Sequence, residues 1–281
     1  FPPFPPSPLP PYNLRMIRIA ATADMHMGTD AAGTLAPSLA AIRDEADLLL
    51  LGGDLTRVGD PAEAEVLVGE LRDVGVPVVA VLGNHDYHSE RAPAVVAVLR
   101  QAGIRVLDRS SVVLDIAGQK VAIAGTKGFG GGFGPALADD FGEPEMRAWI
   151  GHAEAEAEAL AGVLGTLVGD VRLVLLHYAP VPETLTGERL ELYPFLGNSL
   201  LGEAIDRAGA DLVLHGHAHR GTLIGATPGG VPVRNVAQPV IRRPYVVFTI
   251  EHGDEIPARG RRNPRRPRWL RRERRGADPA A

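Results

Sequence analysis

The chain has 281 residues, 45% hydrophobic and 22% charged, enough to bury a sizeable core in one large domain or two small ones. It contains no cysteine, which excludes disulfides, thiolate metal ligands and thiol nucleophiles together and fits a reducing cytosol. The net charge of −5 is unevenly spread: from residue 257 onward ten Arg face one Glu and one Asp, a charge of +8 that leaves −13 on the rest.

Residues 1–15 are dominated by proline, which lacks the amide hydrogen that helices and central strands need, so they read as a disordered extension. Met16 opens a strand that runs to Ala21. Further apolar runs of strand length lie at Leu48–Leu51 and Val78–Leu82. Helix-periodic segments at Leu35–Glu45, Ala62–Val74 and Arg91–Ala102 alternate with them, the pattern of parallel strands joined by crossover helices. Ser111–Ile116 and Lys120–Gly125, joined through Ala117-Gly118-Gln119, read as a hairpin. A glycine-rich loop, Lys127–Gly134, follows; without the Gly-Lys-Ser/Thr ending of a P-loop it reads as a lid or a plain connection. A long helix is expected over Glu145–Val168, then strand Arg172–Leu176, helix Ser199–Ala208 and strand Leu212–Leu214. Short strands near Thr222–Ile224, Val231–Asn235 and Tyr245–Ile250 are expected to pair antiparallel. The whole predicts an α/β fold, a four-layer α/β/β/α sandwich of two mixed sheets flanked by helices, spanning residues 16–256 as one domain.

The Arg-rich segment 257–281 reads as a disordered tail, with contact to nucleic acid or anionic lipid as the functional alternative. No apolar stretch approaches the ~20 residues of a membrane-spanning helix. The N-terminus also lacks the charged-then-apolar pattern of a secretory signal, so a cytoplasmic location is expected.

Seven of the nine histidines (26, 85, 88, 177, 215, 217 and 219) lie in short polar clusters at or just past the ends of apolar strands. In α/β sheets ligands bind beyond the carboxyl ends of strands, so clusters far apart in sequence should converge. In order they are Asp24-Met25-His26, Gly52-Gly53-Asp54, Gly83-Asn84-His85-Asp86, Leu176-His177 and Gly216-His217-Ala218-His219. Their oxygen and imidazole donors suit divalent Mn, Fe, Zn or Ni.

In order and spacing these five clusters resemble the D-x-H, G-D, G-N-H-D, H and G-H-x-H signature of the calcineurin-like metallophosphoesterases, over roughly Met16 to Ile250. The resemblance implies two divalent metal ions that activate water against a phosphate ester. Asp24, His26 and His219 would bind one metal, Asn84, His177 and His217 the other, and Asp54 would bridge them. The resemblance makes His85 the residue that protonates the leaving oxygen or stabilises the transition state, with Asp86 orienting it through its second ring nitrogen. A phosphodiester is preferred over a monoester, since the chain is short and lacks an obvious extra domain. A non-catalytic scaffold of this fold and a nucleic-acid-directed phosphodiesterase recruited by the Arg tail are the alternatives.

Other residues carry two readings each. His215 is either a core histidine or a second layer around the metals, while His88 and His152 are expected on exposed surfaces. Arg57 is placed either to reach a phosphate oxygen or to form a surface ion pair. The long connection Tyr178–Asn198 leaves from His177 and is the expected substrate-shaping loop, with Leu190 and Leu192 expected to pack on the helix beneath.

Overall fold

The computed structural model describes residues 15–252. The Pro-rich segment and the Arg-rich segment lie outside the described residues, except that Arg15 already belongs to the first strand.

The first half alternates as expected: β1 (Arg15–Thr22), α1 (Ala36–Leu39), α2 (Ile42–Glu45), β2 (Leu48–Gly52), α3 (Pro61–Leu71), β3 (Val78–Val81), α4 (Ala92–Gln101) and β4 (Arg105–Val106). The helix expected over Leu35–Glu45 is instead two single turns. The break at Ala40-Ala41 lets Leu39 and Ile42 enter the same core. The second half contains β5 (Ser110–Ile116), β6 (Gln119–Gly125), α5 (Pro144–Thr166), β7 (Val171–Leu175), α6 (Tyr193–Leu196), α7 (Ser199–Ala208) and β8 (Leu212–His215). It closes with β9 (Ile224–Ala226), β10 (Pro232–Asn235), α8 (Gln238–Ile241) and β11 (Val246–His252). The β5–β6 hairpin turns through Ala117 and Gly118, both at positive φ, as a tight turn that matches strand twist requires.

Two mixed sheets result, one ordered β11-β1-β2-β3-β4 and the other β5-β6-β7-β8-β10-β9. The late strands are not all antiparallel: β11 pairs antiparallel with β1 and β9 with β10, but β10 runs parallel to β8. It does so because the β9–β10 hairpin folds back and inserts its second strand beside β8.

Alternation along each strand builds four layers. Ile17, Ile19, Leu48, Leu50, Val79 and Val81 of the first sheet meet Val121, Ile123, Leu173, Leu175, Leu212 and Leu214 of the second in the central core. Leu49 and Leu51 point the other way, against Leu67 of α3 and Val95 and Leu99 of α4. On the far side Ala122, Val174 and Val213 are covered by Leu160 and Leu164 of α5 and Leu201 and Ile205 of α7. Strand β2 faces apolar layers on both sides, which is why it reads as four consecutive leucines rather than an alternation. Truncating one of them to Ala costs about 2–5 kcal/mol. Among the described residues no helix is long and apolar enough to cross a membrane.

Candidate metal centre

Strands β1, β2 and β3 run parallel in one sheet, and β7 and β8 run parallel in the other. Each ends within a few residues of one of the sequence clusters, so both sheets deliver polar side chains to one edge of the sandwich. Asp24 and His219 are 195 positions apart in sequence, yet His219 Nε2 lies 2.9 Å from Asp24 Oδ1.

Two groups of donors form there. Asp24, His26, Asp54 and His219 each offer a ligand atom within 4.8 Å of the others, and so do Asp54, His177 and His217; Asp54 belongs to both. Asn84 joins the second group through its Oδ1, 2.9 Å from His177 Nε2. All seven residues expected to hold metal are thus brought together.

The backbone is strained where they attach. Asp24, His26, Asp54 and His217 have φ of 59°, 46°, 49° and 71°, the left-handed region that costs an L-residue about 1–2 kcal/mol. Four of the eight non-glycine residues at positive φ among the described residues gather at this one edge, which is a pointer to function. Close approach adds a second constraint: a Cβ on Gly83 would strike the Asp54 carboxylate, and one on Gly216 the Asp24 carboxylate. The loops also brace each other. Asp24 N–H donates to the Gly53 carbonyl, His26 N–H to that of Asp54, and His217 N–H to the Asp24 carboxylate.

Hydrogen bonds fix the histidine tautomers, because a carbonyl only accepts. His177 donates Nδ1–H to the Gly52 carbonyl at 2.9 Å, which turns Nε2 towards Asp54 and Asn84. His217 donates Nε2–H to the Phe195 carbonyl at 3.1 Å, which leaves Nδ1 as its free lone pair. Burial pushes His217 down to about 3, helped by the charge of His177, so that lone pair stays available at neutral pH. Burial also opposes charge on His177, but the Asp54 carboxylate 3.3 Å away outweighs it and raises His177 to about 9. Burial alone would raise Asp54; the His177 charge and the hydrogen bond from it hold its carboxyl far below the usual range.

A cation fits this donor set. His26 Nε2 is buried without a hydrogen-bond partner, 3.8 Å from the nearer Asp54 oxygen, and an unpaired buried nitrogen beside two carboxylates is a costly arrangement that a bound cation resolves. Imidazole nitrogens, carboxylates and an amide oxygen suit the borderline divalent metals, which displace the Nε2 proton of His177 on binding.

His85 sits against the first group, its ring centroid 4.4 Å from that of His26. Its Nδ1–H donates to the Arg57 carbonyl at 2.8 Å. The expectation that Asp86 holds His85 is therefore corrected: the partner of that ring nitrogen is a backbone carbonyl. Asp86 is fully buried and accepts from Leu55 N, Thr56 N, Thr56 Oγ1 and Gly83 N. Residues 85–87 form a 3₁₀ turn, in which adjacent side chains point in different directions, so Asp86 faces inward while His85 faces the centre.

The remaining residues divide clearly. His215 is buried and bonded to Thr184 and the Gly216 carbonyl, and burial lowers it to about 4. His88 is exposed. The Arg57 guanidinium pairs with Asp30 at 2.7 Å. His152 is not on a solvated face: it is half-buried, edge-on to Phe129 with centroids 4.4 Å apart. Leu190 and Leu192 do not pack on the helix beneath but are 75% and 41% exposed. The glycine-rich loop is tied down, with Gly131 N–H bonded to the Pro194 carbonyl and Gly132 N–H to that of Gly197. Together these segments wall a cleft that starts at Asn84 and His217 and runs between Phe129, Trp149, Tyr178 and Phe195. Phe129 on this wall lies in the glycine-rich loop expected as a lid or a connection, whereas Trp149 reaches it from α5 with no signal in the sequence.

Known proteins agree with this architecture. The sequence model of the calcineurin-like phosphoesterase family matches residues 17–221. The phosphopantetheinyl hydrolase of Mycobacterium tuberculosis superposes with a TM-score of 0.60 at 17% identity, covering 80% of this chain and 90% of that one. The TT1561 protein of Thermus thermophilus superposes with a TM-score of 0.54 at 19% identity, covering 84% of this chain and 99% of that one. At such identities the likeness is one of fold. A comparison with proteins of curated function finds no match. With a family match over most of the chain, two mixed sheets and the Asp/His groups at their shared edge, the chain belongs to the calcineurin-like phosphoesterase family.

Proposed function

We propose that this protein hydrolyses a phosphate ester with the help of two divalent metal ions, one held by Asp24, His26 and His219, the other by Asn84, His177 and His217, with Asp54 shared. The observation that carries this reading is the membership of Asp54 in both donor groups. Cations held there would supply Lewis acidity, lowering the pKa of a water between them and offsetting charge on the phosphoryl oxygens. Only two carboxylates enter the donor set, so a positive charge remains to attract an anionic substrate.

The protein's own groups do the rest. The Arg57 carbonyl fixes the His85 ring, and the His85 backbone N–H donates to Asp54 Oδ1 at 2.8 Å, so side chain and main chain are each tied at the centre. With Nδ1–H held by the Arg57 carbonyl, the imidazolium form of His85 passes its Nε2 proton to the leaving oxygen as the P–O bond breaks, so the alcohol leaves neutral and the ring is left as the neutral imidazole. Asp86 acts only by holding the loops.

A diester is the favoured substrate. Clefts leave the centre in two directions, one from His26 past Arg57, Gln238 and Arg242, the other from Asn84 and His217 past Tyr178 and Phe195. A phosphate with two substituents occupies both.

The test is a metal-stripped protein reloaded with Mn, Fe, Zn, Ni or Mg and assayed on nitrophenyl phosphate and bis(nitrophenyl) phosphate, beside Asp54→Ala. Turnover that depends on metal, favours the diester and vanishes in the variant with loss of paired occupancy is expected. Two metals per chain and near-normal turnover in Asp54→Ala would sink the assignment.

A further inference from the structure

Lys127 follows β6 by two residues and is fixed to the centre through its backbone: its carbonyl accepts from His177 N–H at 3.1 Å and Tyr178 N–H at 3.0 Å. Its side chain is enclosed by rings. Nζ lies 4.7 Å from the Phe129 centroid, 5.0 Å from Tyr178 and 5.6 Å from Tyr87. An ammonium has three donors, and the hydrogen bond that occupies one goes to the adjacent Gly128 carbonyl at 3.0 Å.

Two carboxylates, Asp108 and Glu156, line the cleft that Lys127 faces, balanced in charge by Arg109 and Lys127, and Glu156 is already committed. Glu156 accepts from Arg109 Nε at 2.8 Å and Nη2 at 2.5 Å, and from the Thr126 hydroxyl at 2.6 Å. Lys127 makes no ion pair of its own among the described residues, unlike Arg109 beside it. Ring faces favour a cation without neutralising it, so a half-buried ammonium that makes no ion pair is a ready contact for an anion.

The amine also faces the right space. Lys127, Asn84, Tyr87, Phe129 and Tyr178 line one cleft of about 470 Å³, which Asn84 joins to the proposed metal pair. The Tyr178 ring, which holds Lys127 from one side, stands 4.3 Å from the His217 ring on the other. A molecule with its phosphate at the centre would reach Lys127 with a group one short chain away.

We propose that Lys127 and its three rings form an anion subsite that receives a second anionic group, a phosphate or carboxylate, carried by the substrate on the Asn84 side. The substrate is then a phosphate ester with two separated anionic groups. This rests on the phosphoesterase reading above, but its test need not involve turnover.

The probes are alkane bisphosphonates of two to eight carbons and alkylphosphonates of matched length. They are titrated calorimetrically into the full-length, manganese-loaded wild type, Lys127→Met and Lys127→Arg. The wild type should bind the best-fitting bisphosphonate about tenfold to a hundredfold tighter than its one-anion counterpart, the range expected for one charge-assisted contact. Lys127→Met should erase that ratio, and Lys127→Arg, which keeps the charge, should retain most of it. Chains in which a carboxylate replaces one phosphonate then tell the two anions apart: equal binding assigns either group, and a tenfold loss assigns phosphate. A wild-type ratio near one at every length, or an unchanged ratio in Lys127→Met, would overturn the subsite. The wild-type ratio needs no variant, so it decides even if a substitution prevents folding. Absence of turnover on every phosphate ester would instead remove the catalytic reading while these ratios still judge the subsite.

Discussion

The Thr56 hydroxyl donates to the Asp86 carboxylate at 2.6 Å, tying the loop after β2, which carries Asp54, to the loop after β3, which carries Asn84 and His85. Burial pushes Asp86 above the ordinary carboxyl range, while hydrogen bonds from Gly83 and from the Thr56 amide and hydroxyl work against that rise. Asp86→Ala strands four donors in the interior and should cost about 3–5 kcal/mol of metal-free stability in urea denaturation. Metal affinity should fall about tenfold to a hundredfold, as for outer-layer partners of ligands elsewhere. Unchanged stability would show that the bond does not brace the loops.

His85 makes a different prediction, because it touches the centre without belonging to either donor group. His85→Ala should lower kcat by about 10²–10⁴ while elemental analysis finds both metals retained. The loss should shrink for nitrophenyl leaving groups, which depart without a proton. An equal loss for good and poor leaving groups would reassign His85 from proton donor to stabiliser of charge.

Glu70 supplies a pH dependence. Burial would raise its pKa, but N–H bonds from Ala36, Gly33 and Leu35 outweigh that and hold it below the ordinary value. A carboxyl depressed on folding contributes stability that is present above its unfolded pKa and is lost as pH falls through the folded value. Glu70→Gln should therefore lose about 1 kcal/mol at pH 7, after solvent screening, and the gap from wild type should close in acid. Urea titrations at pH 7 and below pH 4 measure both; a gap that persists in acid would contradict the assignment.

The left-handed positions predict an inversion of the usual order of substitutions. At Asp54 and His217, with φ of 49° and 71°, Gly should give a metal-free protein about 1 kcal/mol more stable than Ala, although elsewhere Ala is the gentler change. Thermal melts of the four variants decide it, and an Ala advantage at either site would mean that the backbone relaxes there.

Much of this was legible in the sequence, for a physical reason. Parallel strands end on the same edge, so polar clusters at the ends of β1, β2, β3, β7 and β8 had to converge, and the hydrophobic periods located those strands. Adjacency misled at Asp86, because neighbours on a turn diverge and the sequence does not record which one points inward. The cleft wall was legible only in part: Tyr178 and Phe195 lie in the connection expected to shape the substrate site, but nothing pointed to Trp149. Phe129, Trp149 and Phe195 come from a loop, a long helix and a short one, and no periodicity links them. Leu190 and Leu192 were apolar residues assigned to packing, yet they sit on an outer rim where little chain remains to cover them.

The division of the proposed ligands between the two sheets also constrains how the protein becomes competent. Asp24, His26, Asp54 and Asn84 belong to the early half of the chain and His177, His217 and His219 to the late half, with contacts that span 125 and 195 positions. Closing loops of that length takes entropy that local structure cannot return, so such contacts form late and slowly. Neither half alone presents a complete donor set, and a chain still emerging from the ribosome lacks His217 and His219 until β8 has been made. Metal loading would therefore become a report on completed folding, and an ion that bridges the halves would act as a clasp fastened only after the two sheets have met.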